Sequence, residues 1–378
     1  MTHPPSSFAD WQDYPSKLDP IHIAWLKNAK KSSTAFAVAD IEGVEISHKR
    51  FLTGVLLFSK KIAAYSPEQN VGLLLPSSGG GAIASMAILA LGKTIVNLNF
   101  TAGKKALKSA AEQAEVKNIY TSRKFLDKMA ERGMNLESFF PNSKLHMLED
   151  IKEEISTLTR LTTLLKAIVM PTNLIRKTYF KEVSMSDTAA ILFSSGSEGS
   201  PKGVELSHSN IAANAKQAAI ELSAVNTDVI MSTLPTFHAF GFAITTLMPL
   251  SEGIPIVCHA DPKDVATIAS GIEKYSGTIL VGTPTFLRMY TISKKVTSES
   301  MQSLRLVVAG AEKLRSEVRE GFESKFNMPV YEGYGTTETS PGASVNLPDI
   351  PASNLTPHKL RNRPGTVGKA FSGTEFRI

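Results

Sequence analysis

Short apolar runs alternate with helix-like stretches along most of this chain, and that alternation narrows the possible folds more than any other feature. Val71–Pro76 (VGLLLP) reads as a buried strand emptying into a Ser/Gly loop, with Ala82–Leu91 as the helix after it. Thr94–Leu98 is the next strand, Ala106–Glu115 an amphipathic helix, and Asn118–Thr121 another short strand. Further strands are expected at Ala189–Phe193, Val229–Leu234, Pro255–Cys258, Thr278–Val281, Leu304–Val308 and Val330–Glu332. Strands separated by helices predict an α/β protein with parallel sheets and right-handed crossovers. Ligands of such sheets bind beyond the carboxyl ends of the strands.

At 378 residues the chain exceeds the size at which one core usually stops growing, so two lobes are expected. Their boundary is placed near residue 180, giving a first α/β lobe with its connector over 1–180 and a second over 181–378. The single cysteine, Cys258, excludes an internal disulfide framework, and no Cys/His cluster offers a zinc site. A net charge of +6 is too diffuse for a nucleic-acid binder. Phosphate ligands, an acidic carrier protein, an anionic membrane surface or a plain excess of surface lysine would all suit it. The N-terminus has neither a basic start nor an apolar core, so it is not a signal peptide, and a cytoplasmic protein is expected.

Two segments bear on membranes. Val229–Leu250 is uncharged and long enough to span, but Pro235, His238, Gly241 and Pro249 favour a buried strand, turn and helix. Between Glu153 and Tyr179, Leu158, Leu161, Leu164, Leu165 and Ile168 keep helical spacing, with Arg160, Lys166, Arg176 and Lys177 close by. One reading is a basic amphipathic helix making peripheral contact with lipid at the inner face of the membrane. The preferred reading is a connector helix packed on the body.

The most informative stretch runs from Ala189 to Gly203, AAILFSSGSEGSPKG. An apolar strand opens into serines and glycines, whose small side chains let backbone N–H groups surround phosphate oxygens. Ser194, Ser195 and Ser197 add hydroxyl donors around Gly196, Glu198 and Gly199, and Lys202 adds a compact positive charge. The common P-loop spacing is absent, because Gly199 is followed by Ser200, and no G-x-S-x-G elbow occurs in the stretch. The order S-S-G-S-E-G-x-P-K-G resembles the signature loop of the adenylate-forming superfamily, which includes acyl-CoA synthetases, luciferases and nonribosomal adenylation domains. The resemblance implies a loop that grips the β- and γ-phosphates of ATP.

Three more segments follow in the order of that family. Leu234–Gly241 (LPTFHAFG) places a histidine between two phenylalanines, and the resemblance implies that His238 lies near the acyl carboxylate. Val307–Leu314 (VVAGAEKL) runs from a strand into small residues, where the resemblance places the adenine at Gly310, Ala311 and Glu312. In Tyr331–Glu338 (YEGYGTTE), Tyr334 could stack on a purine, Thr337 could bond a phosphate, and Glu338 offers a hard oxygen to Mg²⁺. Gly335 and Thr336 complete the expected nucleotide contacts. Phe237, His238, Phe240, Thr283 and Pro284 are the expected acyl pocket, and Lys202, His238, Thr337 and Glu338 the expected catalytic set.

Within the superfamily, Asn99–Gly103, Tyr120–Lys128, Val308–Leu314 and Arg363–Gly368 look like the ligase half of bifunctional acyl-carrier-protein synthetase/2-acylglycerophosphoethanolamine acyltransferases. That likeness implies activation of a long-chain fatty acid with ATP and Mg²⁺, transfer to acyl-carrier protein (or coenzyme A), and supply of lysophospholipid acylation. It also implies the large N-terminal portion of the adenylate-forming fold: two αβαβα-type lobes with the start of a small β subdomain. The family's ribose aspartate, hinge and lysine-bearing lid domain would follow Ile378, so a truncated unit is expected. The acyltransferase mark H-x-x-x-x-D occurs once, His259 to Asp264, inside the ligase body, and is read as chance.

Overall fold

The computed structural model describes Trp11 and residues 14–194, 201–350 and 360–377. Two sheets carry the molecule. Strands are numbered β1 (Phe36–Asp40), β2 (Glu45–Ser47), β3 (Asn70–Leu73), β4 (Thr94–Asn97), β5 (Asn118–Thr121), β6 (Lys144–Met147), β7 (Thr188–Ser194) and β8 (Lys202–Ser207). They continue with β9 (Ile230–Ser232), β10 (Ile256–Cys258), β11 (Ile279–Gly282), β12 (Leu306–Ala309), β13 (Val330–Gly335), β14 (Gly342–Val345) and β15 (Lys369–Ala370).

One sheet has the order β6-β5-β3-β4-β7-β8, parallel except for β8, which returns antiparallel to β7. The other has the order β15-β14-β13-β12-β11-β9-β10-β1-β2, with a parallel centre from β13 to β1 and antiparallel margins. The expected strands are all present, and the mixed α/β class holds. Sheet membership does not divide at residue 180, however. β1 and β2 join the later strands because Val38 and Ala39 pair with Ile256 and Val257. β7 and β8 join the earlier ones because Ile95–Asn97 pair with Ala190–Leu192.

Burial along the strands explains how the sheets are stacked. Ile230, Ile256, Ile279, Val281, Leu306 and Val308 belong to a central core, while their neighbours Met231, Val257, Leu280 and Val307 belong to an outer one. Alternate residues point to opposite faces, so both faces of this sheet are covered. The central core also takes Val71, Leu73, Ile95 and Ala190 from the other sheet, with Phe51, Leu52 and Met86 from helices lying between the two. The helix Gly79–Ala90 is buried on nearly every side, as a layer between two sheets must be. Helices Val265–Tyr275 and Ser316–Phe326 cover the outside of one sheet, and Lys104–Gln113 and Arg123–Glu131 the outside of the other. The result is five layers, αβαβα.

Val229–Leu250 folds as β9, a turn, a π-helix over Phe240–Leu247 and a short helix over Met248–Glu252. Among the described residues no helix is long and apolar enough to cross a membrane. The Glu153–Tyr179 region forms helices Thr157–Val169 and Thr172–Tyr179. The first does lie on the body, against the helix His48–Tyr65, but it buries Thr163 and Ala167 there and turns its leucines outward.

Candidate nucleotide and acyl cleft

A cleft with about 1520 Å³ of empty, solvent-connected space opens where the parallel strands end. The segments after β9, β10, β11 and β12 supply Leu234–Gly241, Ala260–Lys263, Thr283 with Thr285 and Phe286, and Ala311 with Glu312. β13 ends in it at Gly335, followed by Thr336 and Thr337. Phe100, Thr101 and Arg132 reach it from the other sheet's side. This is the carboxyl edge at which open α/β sheets bind ligands.

The chain enters this cleft under tight steric control. A Cβ on Gly241 would fall 2.2 Å from the Pro235 carbonyl oxygen, so only glycine lets the segment double back there. The π-helix that follows is anchored by Thr245 and Thr246, whose hydroxyls donate to the Gly241 carbonyl at 2.9 and 3.0 Å. Phe237 is buried edge-on against Phe100 with ring centroids 4.8 Å apart, and its own ring sits 4.6 Å from that of His238. His238 presents its ring at the cleft mouth. The surrounding apolar walls hold its pKa below the ordinary histidine value, which leaves it neutral near pH 7. A neutral imidazole can donate or accept a hydrogen bond without placing a charge beside a carboxylate.

Ala311 adopts a left-handed backbone with φ of +68°, a conformation that costs a residue with a Cβ about 1 kcal/mol. Beyond it, the Glu312 carboxylate accepts from the Thr285 hydroxyl at 2.7 Å. Thr336 and Thr339 close a reciprocal cap around the turn Thr337–Thr339, with the Thr336 N–H donating to Thr339 Oγ1 at 3.0 Å. That cap fixes the backbone that carries Thr337 and the exposed Glu338. The same turn lies against β8, the strand that begins with Lys202. Ser194 and Lys202 are Cα partners at the open end of the β7–β8 ladder, so both sit at the base of the serine–glycine loop. Ser195, Gly196, Ser197, Glu198 and Gly199 lie outside the described residues.

A second, largely apolar pocket adjoins the cleft, with about 570 Å³ of empty space that includes open solvent. Leu222, Ile244, Val281, Val308, Val345 and Phe371 form its walls, with backbone from Gly310, Gly333 and Gly335 and the ring of Tyr334. Phe240 and Ala311 line both spaces. A Cβ on Gly310 would meet the Phe240 ring at 2.7 Å, so the glycine is what lets that ring stand between the two. Sequence reasoning missed this pocket, because its walls come from helices and strands far apart in the chain. The available signal was the run of glycines at strand ends, which leaves space that side chains would otherwise fill.

Not every expected residue is in the cleft. Thr283 lines it, but its hydroxyl is engaged as the helix cap, accepting from the Phe286 N–H at 3.3 Å. Pro284 is buried and faces a separate depression with Arg288 and Lys313. Arg132 and Asp261, which no motif marked, form an ion pair of 2.7 Å at the rim. His259 and Asp264 approach to 3.5 Å, but His259 is buried and Asp264 caps the helix Val265–Tyr275 by accepting from Thr267 N–H. Cys258 is buried, and burial pushes its thiol far above the usual range, so it is no thioester nucleophile.

Known proteins share this fold. The chain is 26% identical over 316 residues to the 4-coumarate–CoA ligase-like 8 of Arabidopsis thaliana, an alignment covering 81% of this chain and 53% of that protein. It is 27% identical over 207 residues to a long-chain-fatty-acid–CoA ligase of Yersinia pestis, covering 54% of this chain and 35% of the relative. The chain therefore spans about half, or less, of the length of these relatives. Its fold superposes with a TM-score of 0.75, at 18% identity, on the anthranilate CoA ligase AuaEII solved in complex with anthranoyl-AMP, covering 95% of this chain and 65% of that one. The family model described as AMP-binding enzyme matches residues 25–378, which takes in both sheets, the cleft and the phosphate-loop motif, and the chain therefore belongs to that family.

Proposed function

We propose that this chain binds ATP and a fatty acid in adjoining parts of one site and, within the complete protein, joins them as an acyl-adenylate for transfer to a thiol. The observation that carries this is the meeting of His238, Ala311, Glu312 and Gly335–Thr337 in a single cleft, with Phe240 dividing it from an apolar pocket. ATP use is the common chemistry of the family.

In this reading a carboxylate oxygen attacks the α-phosphorus of ATP, the bond to the bridging oxygen breaks, and pyrophosphate leaves. The protein's part is positioning and charge neutralisation. Lys202 and the loop after Ser194 take the outer phosphates; Thr337 donates to the α-phosphate; Tyr334 and Gly310–Glu312 frame the adenine. His238 in its neutral form hydrogen-bonds the incoming carboxylate. The apolar pocket takes the alkyl chain.

Magnesium commonly binds through one or two carboxylates together with nucleotide phosphates, and the exposed Glu338 beside β8 fits that pattern. When bound, the ion would offset charge on the leaving pyrophosphate. The acceptor we infer is the thiol of acyl-carrier protein, with coenzyme A as the other candidate. The acyl group would then feed 2-acylglycerophosphoethanolamine acylation, as the sequence likeness suggests. The branch assignment rests on that likeness alone.

Calorimetry with ATP and Mg²⁺, followed by pyrophosphate exchange with oleate, tests the reading. ATP binding that saturates, strengthens with Mg²⁺ and supports oleate-dependent exchange is the expected result. ATP binding without exchange would assign this chain a nucleotide-holding role only. No ATP binding would overturn the proposal.

A further inference from the structure

We propose that the outward face of the helix Thr157–Val169, continued by the helix Thr172–Tyr179, docks this chain on an anionic lipid surface. The inference does not depend on the nucleotide reading.

The helix is amphipathic in the opposite sense to an ordinary surface helix. Its buried positions are the small Thr163 and Ala167, while Leu158, Leu161, Leu165, Ile168 and Val169 are exposed, Leu158 by 72% and Leu161 and Leu165 by 59% each. At 3.6 residues per turn those five side chains fall within an arc of about 100°. Leu174 on the next helix is also exposed, by 48%. Burying a leucine is worth roughly 1.5–3 kcal/mol, so five such side chains left in water at neighbouring positions call for something to cover them.

Charge selects the occupant. From Ser156 to Lys181 the chain holds Arg160, Lys166, Arg176, Lys177 and Lys181 and no acidic residue. Acidic residues resume only at Glu154, held by Lys61 at 2.7 Å, and at Glu182. A ridge of leucines bordered by Lys166, with Arg176, Lys177 and Lys181 following in the chain, matches an anionic bilayer, where the apolar face enters the acyl boundary and the cations meet headgroups. The ridge is also held firmly. Lys30 donates to the carbonyls of Ala167 and Ile168 at 2.7 and 2.8 Å, capping the helix end and adding a further positive charge there.

Co-sedimentation of the 378-residue chain with vesicles tests this, comparing phosphatidylcholine alone with phosphatidylcholine containing phosphatidylglycerol. We expect binding to the anionic vesicles that weakens with salt. Leu161→Glu with Leu165→Glu should lower it at least tenfold, about the effect of one buried leucine. Lys166→Gln and Lys177→Gln should each lower it about fivefold, on anionic vesicles only. Both leucines are exposed, so the variant should melt at the wild-type midpoint; if it does not, Leu165→Glu alone serves. The proposal is overturned if wild type does not sediment with anionic vesicles, or if the folded variant binds as well as wild type. It is equally overturned if sedimentation velocity shows a dimer that the same substitutions dissolve while vesicle binding is nil, since the ridge would then belong to a second copy.

Discussion

Ser194 and Lys202 stand opposite each other as Cα partners on the antiparallel strands β7 and β8, at the end where the serine–glycine loop leaves the sheet. The ladder therefore delivers a hydroxyl and an ammonium to the base of that loop, while the turn Thr337–Thr339 lies against β8. A charge-assisted hydrogen bond is worth roughly 1.5–3 kcal/mol, so Lys202→Ala should weaken ATP about tenfold or more by calorimetry. Lys202 is exposed, and its loss should leave the unfolding midpoint unchanged. Equal affinity in both proteins would remove Lys202 from the phosphate site.

Gly335 is the tightest point of the cleft wall. A Cβ there would fall 1.6 Å from the Pro341 carbonyl oxygen, a distance no side chain tolerates. Backbone must move, and with it the turn that carries Thr337 and Glu338. Gly335→Ala should cost about 3 kcal/mol in denaturant unfolding and abolish ATP binding together. A variant as stable as wild type would show that β13 and the Pro341 segment have slack.

Ala218 is buried in the helix His208–Glu221 and lines the apolar pocket. Ala→Phe in a packed core costs about 1–3 kcal/mol by overpacking, and here the new ring would turn into the pocket and take up its space. Ala218→Phe should therefore stay folded at a cost of about 1–3 kcal/mol, and bind a non-hydrolysable palmitoyl-adenylate analogue at least tenfold more weakly. A butyryl analogue should bind as to wild type. If both analogues bind the variant unchanged, the alkyl chain lies elsewhere.

How much of this was legible in the sequence follows from the range of each signal. The loop and the three supporting motifs are local, so residue order alone exposed them. Strands with continuous apolar runs, such as Leu306–Ala309, were visible for the same reason. β8 was not, because KGVELS is a charged edge strand whose identity comes only from pairing with β7. β1 was missed because its neighbour Ile256 lies over two hundred positions away. The same range limit hid the apolar pocket, which is assembled from Ala218, Val281, Val345 and Phe371. Periodicity between 158 and 168 showed which side chains share a face but not which way the face points. Thr163 and Ala167 decided that, since small side chains let the helix sit close on His48–Tyr65.

Stability should fall steeply with acid, and His22 is the first cause to test. Its ring is fully buried, touches the rings of Phe180 and His208, and neither nitrogen has a hydrogen-bond partner among the described residues. Burial, then the nearby His208 and Arg176, lower its pKa from 6.5 to about 3. Because the folded value lies below the unfolded one, the unfolded chain binds the proton first. Nothing changes above pH 6.5; between there and about pH 3 each unit of acid favours unfolding by about 1.4 kcal/mol. His48, lowered to about 4 by burial, acts in the same direction. Replacing His22 with phenylalanine keeps a flat apolar ring in the site and removes the titration. Urea melts at pH 7.5 and pH 5 should show wild type losing about 2 kcal/mol more than His22→Phe on going to the lower pH. Parallel losses in the two proteins would mean that His22 charges without penalty, and that its surroundings admit water.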